Sequence, residues 1–163
     1  MANYFKKLTL SVIIAILTAP GLVYAESRST LFFSSDSELI INREARVAVK
    51  IKTGEFAINA VRTIIHFDPE LVEIKGIETA DSVCDPSLFV EKIVDNKNGR
   101  VIISCGKPTP GFIGEGVVAQ LVFRPKIRGK LGLSFAYDSQ ALANDGYGTE
   151  TLGQIQNSVY QIR

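Results

Sequence analysis

Hydrophobic and polar positions alternate with a period of two between residues 58 and 74, INAVRTIIHFDPELVEI. One parity of this stretch is apolar and β-prone, and it consists of Val61, Thr63, Ile65 and Phe67. Because successive side chains of a strand point to opposite faces, the pattern predicts a strand with one buried face and one face partly open to solvent. Asp68 and Pro69 are expected to end it, since proline lacks an N–H group and fixes φ.

The same alternation predicts further strands. It is clearest in residues 45–52, and other short strands are predicted at residues 31–34, 38–41, 71–77, 87–94, 100–105, 117–123, 131–135 and 159–162. The sequence DNKNG at residues 95–99 predicts a hairpin because Asn and Gly accept positive φ. Residues 80–87, 106–116 and 140–153 are predicted to be loops or irregular. The expected core is Val47, Val49, Ile51, Val61, Ile65, Phe67, Leu121 and Phe123.

No segment after the first 25 residues repeats its apolar positions at helical spacing, so the pattern favours an all-β, antiparallel sandwich of about nine strands. Residues 1–25 have a different character, with Lys6 and Lys7 followed by an apolar run from residue 8 to residue 17 and the sequence Val-Tyr-Ala at residues 23–25. This predicts a signal peptide cleaved before Glu26, with one domain at residues 26–163. An uncleaved anchor is the alternative, but the apolar run is shorter than the roughly 20 residues of a spanning helix.

Charge and cysteine content narrow the classes of function. Lys6 and Lys7 are two of 18 basic residues, so cleavage would leave 16 basic against 17 acidic residues. This near-neutral balance gives no electrostatic basis for binding nucleic acid or anionic lipid, and we expect no membrane insertion after cleavage. Cys84 and Cys105 are the two cysteines. In an exported chain they are expected to form one disulfide rather than a metal site.

Several motifs occur in a fixed order along the chain. A V-x-V-x-I strand precedes I-N-A-V-x-x-I-I-H-F-D-P-E-L-V-E-I, and D-N-x-N-G-x-V, T-P-G-F-x-G-x-G-x-V-A-x-L-x-F and L-A-N-D-G-x-G-T follow. Together they resemble the cohesin domains, in particular the cohesin-like modules of environmental bacteria, over residues 29–162. The resemblance implies a jelly-roll sandwich related to carbohydrate-binding modules, and a protein–protein role in which a calcium-loaded dockerin module is bound.

The resemblance also implies a location for partner binding. In cellulosomal cohesins an outward Asn and an outward Asp on the strand before the D-P corner contact dockerin, and those positions are Ala60 and Arg62 here. Asn59 is displaced by one residue, which in a strand changes the face. The outward parity of this strand is half apolar, which is costly unless something covers it, so we predict a partner-binding row formed by Ala60, Arg62, Ile64 and His66. The alternative is that a neighbouring loop covers this row.

The loops suggest a competing set of candidates. Asn144, Asp145 and Thr149 offer oxygen ligands for calcium, although Asx-Gly sequences are usually plain turns and no EF-hand pattern is present. Phe112, Tyr137 and Tyr147 offer rings that could stack on a sugar, although the chain has no Trp and Phe112 is expected to plug one end of the core.

The sequence therefore favours a secreted, non-catalytic recognition module located outside the cell or at the cell surface, in a surface or polysaccharide-degrading assembly. A carbohydrate-binding module on the same sandwich is the alternative. An enzyme is disfavoured because the carboxylates form no recognisable catalytic signature. The chain has one histidine, His66, and no serine is recognisably paired with it as a base. A sandwich glycosidase ranks third, since its two acids can lie far apart in sequence.

Overall fold

The computed structural model describes residues 28–34 and 38–163, and the predicted signal peptide lies outside them. These residues contain eleven strands: β1 (Ser29–Phe33), β2 (Ala45–Lys52), β3 (Ile58–His66), β4 (Val72–Glu78), β5 (Phe89–Asp95), β6 (Arg100–Gly106), β7 (Glu115–Pro125), β8 (Gly129–Phe135), β9 (Gln140–Ala143), β10 (Leu152–Ile155) and β11 (Ser158–Ile162). A single 3₁₀ turn covers Pro86–Leu88. Within the described ranges no helix has the length and hydrophobicity needed to span a bilayer.

The strands form two sheets that pack face to face. One sheet has five strands in the order β10-β1-β2-β7-β4, and the other runs β11-β8-β3-β6-β5 with β9 also paired to β3. Neighbours are antiparallel except for β1 and β10, which are parallel. This is a jelly-roll β-sandwich, so the predicted fold class is confirmed. β3 lies inside the six-stranded sheet, with β6 on one edge and β9 and then β8 along the other.

The core lies between the sheets and contains every position predicted for it. The eight predicted residues are all buried, and Phe67 is the most exposed of them at 7%. Phe33 and Phe135 stack across the sheets with ring centroids 4.2 Å apart. The period-two alternation therefore identified the inward faces of β2, β3 and β7 correctly.

Two segments differ from the sequence-based expectation. Residues 38–41 do not form a strand, and only Leu39 makes an isolated bridge, to Ile162. The segment 140–153 was expected to be irregular, but it contains β9 and β10. Ala141 and Ala143 are buried on β9, and alanine has low strand propensity, so pairing with β3 rather than local preference makes this strand.

The predicted disulfide is confirmed. Cys84 and Cys105 are bonded, with Cα atoms 5.9 Å apart. The bond ties the loop before the 3₁₀ turn to the end of β6, and both cysteines are buried. Ser82 holds the same loop to the five-stranded sheet, because its hydroxyl donates to the Val118 carbonyl at 2.7 Å.

The predicted hairpin at residues 95–99 joins β5 to β6 and also links the two sheets. The Asn96 carboxamide accepts from the Ile74 N–H at 2.8 Å and donates to the Ile74 carbonyl at 2.9 Å. Gly99 has φ +63°, and a Cβ there would lie 2.1 Å from the Phe67 carbonyl oxygen. Only glycine permits this approach, so the turn and the end of β3 are built against each other.

Candidate functional site

The predicted partner-binding row lies on the side of β3 that faces away from the core, which we call the outer face of the six-stranded sheet. His66 is exposed there, and Ala60 and Arg62 are half-buried. Ile64 is only 7% exposed, so it does not project freely into solvent. The segment between β8 and β9 lies beside it. The Ile64 N–H donates to the Ser139 hydroxyl at 3.1 Å, and the Ala136 N–H donates to the Ile64 carbonyl at 2.7 Å.

The four residues on β3 belong to a larger surface that extends across the neighbouring strands. Register across β3, β6 and β5 creates three cross-strand rows on the outer face: Arg62–Ser104–Glu91, Ile64–Ile102–Ile93 and His66–Arg100–Asp95. We call these nine residues the outer-face grid. Its middle row is entirely isoleucine, and exposure rises along it from 7% at Ile64 and 8% at Ile102 to 45% at Ile93. The grid thus has an apolar centre between two polar rows.

The first polar row is an internally bonded network. Arg62 Nε donates to Glu91 Oε2 at 3.2 Å, and the Ser104 hydroxyl donates to the same oxygen. The Ser104 hydrogen bond, followed by the positive charge of Arg62, lowers the pKa of Glu91 below its ordinary value. Glu91 is therefore held ionised, and it fixes the Arg62 guanidinium beside the apolar row.

The second polar row has unequal charges. His66 lies opposite Arg100 on β6 and opposite Ser134 on β8, and Arg100 lies opposite Asp95 on β5. The Asp95 carboxylate is occupied by the hairpin, since it accepts from the N–H groups of Lys97 at 3.1 Å and Asn98 at 3.0 Å. The Asn98 carboxamide also donates to it and is the main cause of its lowered pKa. Arg100 and His66 are thus the members of this row that face solvent with donors to offer.

The sequence reasoning missed the grid members on β5 and β6. The run Val101-Ile102-Ile103 does not alternate, so parity gave no outward assignment there. The hairpin supplied the usable signal, because pairing Asp95 with Arg100 fixes the next outward pairs by counting. Gln140 and Leu142 of β9 continue the surface on the other side, opposite Arg62 and Ala60.

The calcium candidates form a compact turn. Asp145 Oδ1 accepts from the Tyr147 N–H at 2.8 Å, and the Thr149 hydroxyl donates to Asp145 Oδ2. These bonds lower the pKa of Asp145, with the Thr149 hydroxyl as the largest cause. Asn144 lies by Asn59, 3.5 Å from carboxamide nitrogen to oxygen. Within residues 28–34 and 38–163 no group of three or more His, Cys, Asp or Glu side chains is placed to hold a metal ion.

The three candidate aromatics occupy different environments. Phe112 packs against the core, and its backbone bridges Ile58, so the expectation that it plugs one end of the sandwich is confirmed. Tyr137 and Tyr147 are 96% and 91% exposed. Tyr137 lies in the turn between β8 and β9, whereas Tyr147 lies in the Gly-rich loop after β9.

The described residues form a β-sandwich, and the solved structures to which its fold is similar include cohesin modules. The sixth cohesin of scaffoldin B from Acetivibrio cellulolyticus, solved with a Cel5 dockerin, has a TM-score of 0.69 at 16% identity and covers 84% of this chain and 100% of that chain. The OlpA cohesin from Clostridium thermocellum, solved in a cohesin–dockerin complex, has a TM-score of 0.67 at 16% identity and covers 83% of this chain and 99% of that chain.

A third structure is the cohesin module of a family 33 glycoside hydrolase from Clostridium perfringens, with a TM-score of 0.69 at 14% identity, covering 84% of this chain and 98% of that one. No protein-family model matches the chain, and no curated protein matches it. The structural likeness establishes a cohesin-like domain as the fold.

Proposed function

We propose that this chain is a non-catalytic recognition module that binds a dockerin-type protein through the outer-face grid. Two of the similar structures were solved as complexes with dockerin modules, which supports the class of partner. The observation that carries the proposal is the isoleucine row in the middle of the sheet face. Interfaces commonly have an apolar centre and a polar rim, and the grid has this composition.

The grid also indicates what chemistry the partner presents. Arg62 uses Nε for Glu91, and its terminal nitrogens make no hydrogen bond to other described residues. Arginine is enriched at the energetic centres of interfaces. Arg62, Arg100 and His66 lie around the isoleucines, so we infer a partner with an aliphatic or aromatic anchor flanked by carboxylate or carbonyl acceptors.

This recognition differs in detail from that of cellulosomal cohesins. The outward Asn and Asp of that family are replaced by Ala60 and Arg62. Asn59 is occupied with Asn144 at the start of β3, where the pairing with β9 shifts register. An acidic acceptor surface would suit Arg62, whereas a partner that presents arginine or lysine at this point would meet like charge. We therefore propose a dockerin-type partner whose binding helix carries acidic groups.

The cellular setting belongs to the same proposal. The amino-terminal 25 residues have the composition of a secretory leader, so the module would act outside the cell or at its surface. A confirmed disulfide suits an oxidising compartment. The module would join its partner to a surface or polysaccharide-degrading assembly.

The test is a binding screen with the full chain against a panel of calcium-loaded dockerins that differ in charge on their binding helices. We expect saturable binding to acidic members and loss of that binding when EDTA removes calcium from the dockerin. No binding across the panel, or binding only to basic dockerins, would contradict the proposal.

A further inference from the structure

A groove of about 450 Å³ opens on the flank of the sandwich, where β9 of one sheet approaches β10 of the other. Its walls are the turn between β8 and β9 on one side and residues 150–155 on the other. β9 is bonded to β3 and β10 to β1, so each wall rests on an interior strand. The volume lies within the roughly 300–1,000 Å³ typical of small-molecule sites.

One wall carries an aromatic ring with no cover. Tyr137 lines the groove and is 96% exposed. A tyrosine side chain offers a flat apolar ring and a polar hydroxyl. The C–H face of a pyranose ring is also flat and apolar, and its edge is lined with hydroxyl groups. An exposed tyrosine beside polar groups is therefore suited to stack a sugar ring.

The remaining lining supplies the hydrogen-bonding groups that sugar hydroxyls need. Carboxylates accept from hydroxyls, and carboxamides both donate and accept. The groove presents two of each, and these are Asp138, Glu150, Gln140 and Gln154. Glu150 is preorganised, because Oε1 accepts from the N–H of Ala141 on β9 at 3.1 Å and from that of Leu152 on β10 at 2.8 Å.

The charge of the lining selects among sugars. Two carboxylates and no lysine or arginine line the groove in the described part of the chain. An acidic sugar would place its carboxylate against these groups, and burying like charges together is unfavourable. We propose that the groove binds a neutral sugar of one or two rings, stacked on Tyr137 and hydrogen-bonded to Glu150, Gln140 and Gln154.

This site is separate from the outer-face grid and goes beyond the proposed protein recognition. The two surfaces meet at Gln140, which pairs with Arg62, but the isoleucine row extends away across β6 to β5. A substitution at Ile93 is therefore three strands from β9 and tests only the grid. The module would hold a protein on one surface and a glycan on the adjacent flank.

The test is a titration of the full chain, with ¹³C-labelled tyrosine rings followed by NMR, against glucose, galactose, mannose and cellobiose. We expect saturable shifts of the Tyr137 ring for at least one of these sugars. Isothermal titration calorimetry with the tightest-binding of these sugars then compares the variants, and Tyr137→Ala should weaken binding at least about tenfold, equivalent to 1.4 kcal/mol. Tyr147→Ala is the matched control, since it removes an equally exposed tyrosine that does not line the groove, and it should leave affinity unchanged.

Three outcomes would overturn the inference. They are no saturable binding by any of the four sugars, an equal loss in both tyrosine variants, and binding of glucuronate, titrated in the same way, that is as tight as that of the tightest of the four. Far-ultraviolet circular dichroism should show both variants folded, because both rings are solvent-exposed. Ile93→Asp should leave sugar binding intact, so failure of the groove and failure of the protein-binding grid are distinguishable.

Discussion

The outer faces of the two sheets carry different arrangements of charged and apolar side chains. On the five-stranded sheet, Arg46 donates twice to Glu78 at 2.8 Å, Lys50 pairs with Glu115 at 2.5 Å, and Lys75 pairs with Glu73 at 3.1 Å. These six charged residues therefore neutralise one another in pairs. The six-stranded sheet has one such pair, Arg62 with Glu91, beside a row of three isoleucines.

The two faces share one backbone geometry, so a candidate recognition surface has to be identified from the side chains that each face carries. Val122 is also an outward apolar residue of the five-stranded sheet, at 6% exposure, but it lies between Arg46 and Gly76 with no apolar neighbour in its row. The isoleucine row instead becomes progressively exposed toward the β5 edge. Paired charges suit a face that stays in water, whereas an apolar row that opens to solvent at Ile93 gains from being covered at that end.

The comparison depends on the register of β3, and the largest expected effect tests that register. Phe67→Ala should lower the free energy of unfolding by about 3–5 kcal/mol, because it removes a ring from the core. Chemical denaturation monitored by circular dichroism measures the change. A loss below about 1 kcal/mol would mean that β3 is out of register by one residue, which would exchange its inner and outer faces.

The disulfide ties the loop at Cys84 to β6 directly after Ser104 of the grid. Replacing Cys84 and Cys105 together by alanine should cost about 3 kcal/mol, chiefly by releasing the loop they close. Urea denaturation of the double variant gives the value. Wild-type protein unfolded with and without reductant should show a loss of similar size, and equal midpoints in the two conditions would contradict a formed bond.

The hairpin at residues 95–99 fixes the pairing of β5 with β6, on which the three rows depend. Asn96→Ala removes both bonds to Ile74 and should cost about 1–3 kcal/mol. Lys97→Ala is the control, because it changes the neighbouring exposed residue and should leave the urea midpoint unchanged. Equal effects of the two substitutions would show that Asn96 does not join the sheets.

The smallest effect compares the acid behaviour of the two outer faces. Glu91 and Glu78 both have lowered pKa values, caused first by the Ser104 hydroxyl and by Arg46 respectively. A carboxylate with a lowered folded pKa stabilises the protein above its ordinary pKa and loses that contribution as pH falls through the folded value. Glu91→Gln should therefore destabilise the protein at pH 7, and this destabilisation should shrink below about pH 4.5. Thermal melts of the variant and the wild type from pH 7 to pH 2 measure it.

Glu78→Gln should show the same trend with smaller amplitude, because its pair is more exposed, at 51% and 45% against 39% and 32% for Arg62 and Glu91. A destabilisation by Glu91→Gln that grows as pH falls would have the wrong sign for a lowered pKa. It would show that Glu91 is not held ionised by Ser104 and Arg62.

Sequence reasoning reached the inner faces more fully than the site. Buried positions of β2, β3 and β7 follow from alternation, because one face must avoid water while the other tolerates it. The grid requires knowing which strands lie beside β3, and pairing between β3 and β6 joins residues about 40 positions apart, as with Ile64 and Ile102. β9 was missed because its alanines carry little strand preference, and the groove beside it depends on that strand.

The central claim is that protein recognition uses the outer-face grid, and the most direct test compares charge reversal on the two outer faces. Arg62→Glu and Arg46→Glu each reverse the charge of an arginine that is paired with a glutamate. Surface plasmon resonance measures the affinity of each variant for a dockerin that the wild-type chain binds. The account predicts that Arg62→Glu weakens binding at least about thirtyfold, the 2 kcal/mol of an interface hot spot. Arg46→Glu should leave binding unchanged. Equal affinities for Arg62→Glu and wild type, or a loss confined to Arg46→Glu, would contradict it.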